Sequence, residues 1–70
     1  MPTRTSTASL TLRETEVLRL VAQGHTDAEI AAQLVLSVHT VHRHIANIRT
    51  RLGVATRSAA AAWAGDQGLL

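Results

Sequence analysis

The sequence has no cysteine and no lysine in its 70 residues, one proline, and a single aromatic side chain, Trp63. Without cysteine there can be no disulfide, no cysteine-ligated zinc and no thiol nucleophile. No wholly apolar stretch approaches the length that crosses a bilayer. No charged start followed by an apolar segment marks a secretory signal. These absences predict a soluble, cytoplasmic protein. Hydrophobic residues make 46%, yet twelve of them are alanine. The larger apolar side chains are nine Leu, six Val, three Ile, Met1 and Trp63. Such a set builds one thin core and no enclosed substrate cavity. A core this small stabilises a chain only modestly, so a partner subunit is expected.

Acids are missing from one half of the chain. Residues 10–36 carry Glu14, Glu16, Asp27 and Glu29 against two arginines. Residues 37–64 carry Arg43, Arg49, Arg51 and Arg57, with His39, His42 and His44, and no acid. The net charge is only +2, but its placement lets the second half approach a polyanion.

Start and stop signals predict an all-α, four-helix domain over residues 10–66, between a Thr/Ser-rich tail or linker stub at 1–9 and a short tail at 67–70. Thr11 with Glu14, and Thr26 with Glu29, read as capping boxes that open the first and second helices. Gly24 reads as the stop of the first. Val17, Leu18 and Val21 form the first helix's apolar face, and Ile30, Ala31 and Leu34 that of the second. After a very short turn at Val35 and Leu36, Ser37 caps a third helix over 37–52, with Leu36 and Val41 as a hydrophobic staple. Gly53 stops it. Thr56 caps a fourth helix, 56–64, which ends at Gly65. No alternating period is long enough for a strand.

The third helix has the sharpest pattern. Val38, Val41, Ile45, Ile48 and Leu52 fall on one arc at helical periodicity. His39, Arg43, Ala46, Asn47 and Thr50 lie opposite. The inner arc must be buried, while the outer face offers donors, no acid and small residues near its middle. A helix that enters a major groove has these properties. Its free N-terminal amides favour a phosphate near Ser37 and Thr40. The second helix, the tight turn and the third helix make a helix-turn-helix over 26–45.

Other chemistries find little support. His39 and His42 are neighbours on a helix, but His44 points elsewhere, and the local sequence has no cysteine or carboxylate to complete a metal site. No cofactor is expected. Nothing resembles a nucleophile elbow or a phosphate-cradling glycine loop, so an enzyme is not expected. His44, at the core edge, reads as structural. Capping accounts for Glu14, with an ion pair to Arg57 as a secondary reading. Trp63 anchors either the core or a dimer.

Residues 10–18, Leu-Thr-Leu-Arg-Glu-Thr-Glu-Val-Leu, resemble the opening of LuxR/GerE-type (NarL/FixJ-type) helix-turn-helix domains. So do Ala22-Gln23-Gly24-His25-Thr26, Glu29-Ile30-Ala31, Leu34, Ser37-Val38-His39-Thr40-Val41, His44-Ile45-Ala46-Asn47-Ile48, Arg51-Leu52-Gly53-Val54 and Arg57. The resemblance implies a four-helix output domain of a bacterial transcriptional regulator. Such a domain binds double-stranded promoter DNA on the nucleoid with its third helix in the major groove. It usually works as a homodimer, behind an upstream receiver or sensor domain. By position it implies base contacts at His42, Arg43 and Ala46 and phosphate contacts at Ser37, Thr40 and Arg51; His39 and Asn47 join them from the outer face. A dimer contact through the fourth helix implies Arg57, Ala60, Trp63 and Ala64. Two positions depart from the family habit: His42 and Ala28 stand where Lys or Arg, and Lys, are frequent, and both lower the fixed positive charge. The alternative reading is a protein-interaction module of the same fold that pairs without reading DNA.

Overall fold

Residues 10–69 are described by the structure, a computed structural model. The expected tail at 1–9 lies outside them. Four helices follow one another: α1 (Leu12–Ala22), α2 (Asp27–Leu34), α3 (Val38–Leu52) and α4 (Arg57–Asp66). No strand occurs among the described residues. Each helix starts on a hydroxyl cap. Thr11 Oγ1 accepts the Glu14 amide at 3.0 Å, and Glu14 Oε1 accepts the Thr11 amide at 3.0 Å. Thr26 and Glu29 repeat the reciprocal pair at 3.1 and 2.8 Å. Ser37 and Thr56 each cap one amide, at 3.0 Å. Each cap satisfies an amide that a helix start would otherwise leave unpaired.

The helix ends divide into expected and unexpected. Gly53 closes α3 at φ +69, a conformation in which a Cβ is unfavourable. The stop of α4, in contrast, is not Gly65. The helix continues to Asp66, and the reversal comes at Gly68, φ +73, where the Leu69 amide donates to the Ala64 carbonyl at 3.0 Å. Residues 67–69 are therefore no loose tail: Leu69 packs on the core, and its carbonyl accepts Arg19 Nε at 2.9 Å. The end of α2 falls on Val35, which takes φ +56 and ψ +51. It is the one non-glycine with positive φ among the described residues. The reversal lets the Leu36 amide bond the Ala31 carbonyl at 2.8 Å and turns the chain into α3.

The core gathers one face of every helix: Val17, Leu18 and Val21 from α1, Ile30 and Ala31 from α2, Val41 and Ile48 from α3, Ala60 and Ala64 from α4. α1 packs on α4 and α3, and α2 packs on α3. Ile45 and Leu52 are half-buried at the edge. Val38, expected on the buried arc, is 41% exposed, at the first position of α3.

Glu14 is the only charged side chain buried among the described residues, at 3% exposure. Capping does not account for it alone. The Arg51 guanidinium reaches from α3 and donates to the same Oε1. The partner is Arg51 and not Arg57, since Arg57 is engaged at the other end of the bundle. A carboxylate removed from water is stable only when paired and hydrogen-bonded, and here both conditions are met.

Two outcomes test this description. Arg51→Ala should destabilise the fold by about 1.5–3 kcal/mol, the worth of a hydrogen bond to a charged group; a urea midpoint equal to wild type would show that Glu14 needs no cation. Val35→Gly should raise stability by about 1 kcal/mol, because a β-branched side chain is strained in the left-handed region; a lower midpoint would show that Val35 is unstrained.

Candidate nucleic-acid interface

α3 carries the candidate surface. Because Val41 and Ile48 are buried at 0% and 1% exposure, the helix cannot rotate without exposing them. The face opposite is thereby fixed outward. His39, Arg43, Ala46, Asn47 and Thr50 are all exposed there, and exposed His42 flanks them. At its start Ser37 Oγ sits 2.9 Å from Thr40 Oγ1, so two hydroxyls and the first α3 amides lie together. The positive end of the helix dipole adds to the attraction for an anion at this point.

The arginines separate sharply. Arg13 pairs with Glu16 at 3.4 Å. Arg19 donates to the Leu69 carbonyl, and Arg49 to the Ala55 carbonyl at 3.0 Å. Arg51 lies on Glu14 and Arg57 on Asp27. Arg43 alone among the described arginines has neither a hydrogen bond nor an ion pair. Its five donors are unengaged on an outward face that carries no acid of its own.

Several expected site residues have a different first task. Arg51, expected at a phosphate, ties α3 to α1 through Glu14. Ala60 and Ala64, expected at a dimer contact, are 2% and 0% exposed in the chain's own core, where their small side chains let α4 approach α1. They are not available to a partner. Trp63 is half-buried against that core. Arg57, also expected at the dimer contact, turns inward: it donates to Asp27 Oδ1 and, at 2.8 Å, to the His25 carbonyl.

Asp27 is the residue that sequence reading missed. It opens α2 just after the Thr26 cap, where a carboxylate favours the helix N-terminus. Its Oδ2 lies 2.7 Å from Nε2 of His42 on α3. With Arg57 on Oδ1, this carboxylate joins α2, α3 and α4 at one point. Burial penalises its charged form, but the hydrogen bond and charge of Arg57, joined by His42, outweigh that penalty and hold its pKa below the ordinary 3.8. A pair 15 residues apart in sequence leaves no local signal; only the crossing of α2 over α3 brings it together. Asp27 also supplies a carboxylate beside one of the three clustered histidines, yet no group of three or more metal-ligating side chains occurs among the described residues.

A carboxylate with a depressed pKa stabilises the fold while ionised, and that contribution is lost as pH falls through the depressed value. The stability difference between wild type and Asp27→Asn should be full at about pH 6 and shrink below about pH 4. Urea melts across that interval measure it; a difference indifferent to pH would show that the carboxylate is not clamped in solution.

Comparison with known proteins adds an independent line. Residues 8–64 match the family described as bacterial regulatory proteins, luxR family. The chain is 46% identical over 56 residues to the transcriptional regulatory protein LiaR of Bacillus subtilis (strain 168). That match covers 80% of this chain and 26% of the relative, so the chain spans about a quarter of that protein's length. The family is one of regulators and not of enzymes. A capped four-helix bundle, an acid-free outward face on α3 and a match over most of its length together place this chain in the luxR family of bacterial regulatory proteins.

Proposed function

We propose that this chain binds double-stranded promoter DNA sequence-specifically as the output domain of a bacterial transcriptional regulator, with α3 in the major groove. The observation that carries the proposal is Arg43: a fully donor-bearing side chain, exposed and unpaired among the described residues, at the middle of an acid-free helical face. Arginine grips guanine through two parallel hydrogen bonds, and no protein acceptor competes for this one. Ser37, Thr40 and the first α3 amides suit phosphate; His39, His42, Ala46 and Asn47 flank Arg43 along the groove. Arg51 contributes through the fold, by way of Glu14. The regulator named in the comparison supports the same role.

Two copies reading two half-sites would pair through α4. Since Ala60 and Ala64 are consumed inside the chain, the pairing face is the outer one, with Ser58, Ala62 and Gly65 exposed on it. A receiver or sensor domain elsewhere in the regulator would supply the signal, and the bacterial cytoplasm is the compartment this role requires.

Selection from random-sequence duplexes at low salt tests the reading. Enrichment of a two-fold motif is expected. A stable dimer that enriches nothing would make the chain a protein-interaction module. Arg43→Ala should cost about 1–3 kcal/mol on the selected duplex, the worth of one bidentate base contact, and much less on unrelated DNA. Equal losses on both would reduce Arg43 to a phosphate anchor. Affinity should also fall with salt, by roughly 0.9 log units per decade for each phosphate neutralised.

A further inference from the structure

His42 combines two properties that rarely meet on a reading face. It is 59% exposed at the flank of the outward face of α3, and one of its ring nitrogens is already held by the protein. A carboxylate only accepts hydrogen bonds. With Asp27 Oδ2 at 2.7 Å, Nε2 must therefore carry the proton. In the neutral ring Nδ1 is then an acceptor, and it has no partner among the described residues. Asp27 itself is fixed from the far side, because Arg57 donates to Oδ1 and is anchored in turn on the His25 carbonyl. The ring's polarity is thus set by two residues that lie on neither α3 nor its outward face.

We propose that Asp27 is a positioning residue for base reading: by holding Nε2–H of His42 it makes the ring present Nδ1 as an acceptor to the groove. The base selected opposite His42 is one that offers an amino group in the major groove, cytosine or adenine. This inference rests on α3 reading DNA, as proposed above. It adds a residue from α2, which touches no base, to the determinants of the sequence chosen. Such an outer partner fixes a histidine's tautomer much as it does beside a metal.

Asp27→Asn is nearly isosteric and gives a sharp test. The Arg57 guanidinium only donates, so the new amide oxygen faces Arg57 and the amide NH2 faces His42. Nε2 must then accept, and the ring proton moves to Nδ1. Long-range 15N–1H spectra of the histidine rings, recorded without DNA near neutral pH, should show the Nε2–H tautomer for His42 in wild type and the Nδ1–H tautomer in Asp27→Asn. In duplex selection the variant should keep its preference at every position but one. At that one, cytosine or adenine should give way to guanine or thymine, with a change in relative affinity of roughly tenfold. His42→Ala should erase the preference at the same position, and adding Asp27→Asn to it should change nothing further.

The inference is overturned by an Nδ1–H tautomer, or by a ring protonated at both nitrogens, in wild type. It is overturned equally by a motif that Asp27→Asn leaves unchanged, or by effects of the two substitutions that simply add. A wild-type chain that selects no motif overturns the DNA reading and this inference with it, whereas a wild-type motif indifferent to Asp27 overturns this inference alone. The wild-type spectrum needs no variant, so a loss of folding in Asp27→Asn would not shield the proposal.

Discussion

Burial of one stripe of α3 is the constraint on which the rest of the structure depends. Val41 and Ile48 are buried where α3 packs on the other helices, and with them the rotation of a 15-residue helix is fixed. A helix so locked carries its opposite face outward, and only at the flank does a residue of another helix reach it, where Asp27 holds His42. The exposed residues His39, Arg43, Ala46 and Asn47 take their orientation from the buried side chains on the other side of the same helix. The outward face is supported mainly by apolar burial on the opposite side, and Arg43 on it has no partner among the described residues.

The polar interactions then act at the ends of the bundle. Glu14 with Arg51 joins α1 to the C-terminal part of α3; Asp27 with His42 and Arg57 joins α2, the N-terminal part of α3, and α4. The core is thin, and these hydrogen-bonded ion pairs add links between helices to the apolar burial that already orients α3. The two clamps sort the arginines by function. Those that meet an acceptor inside the chain tie its parts together, and Arg43 meets none among the described residues.

The same small side chains shape the outer surface. Ala60 and Ala64 let α4 lie close on α1, so the residues that looked available for pairing are the ones that close the core. Val35 shows a comparable exchange in the backbone: the left-handed turn needed between α2 and α3 is made by a β-branched residue that is 89% exposed. Strain there is tolerated because the Leu36 bond to Ala31 and the burial of the flanking helices determine the path of the turn.

Local chemistry along the chain was sufficient for the caps at Thr11, Thr26, Ser37 and Thr56, for the stop at Gly53, and for the division of α3 into a buried arc and a bare one. Each depends on residues three to five positions apart, which a helix brings together by its own geometry. Partner choice across helices is another matter. That Glu14 takes Arg51, that Arg57 takes Asp27, that His42 is gripped from α2, and that Ala60 and Ala64 face inward were decided by how the helices cross. A one-dimensional pattern ranks a side chain as apolar, charged or exposed. It does not say which of several arginines lies within reach of a given carboxylate, because that distance is set only when the helices pack.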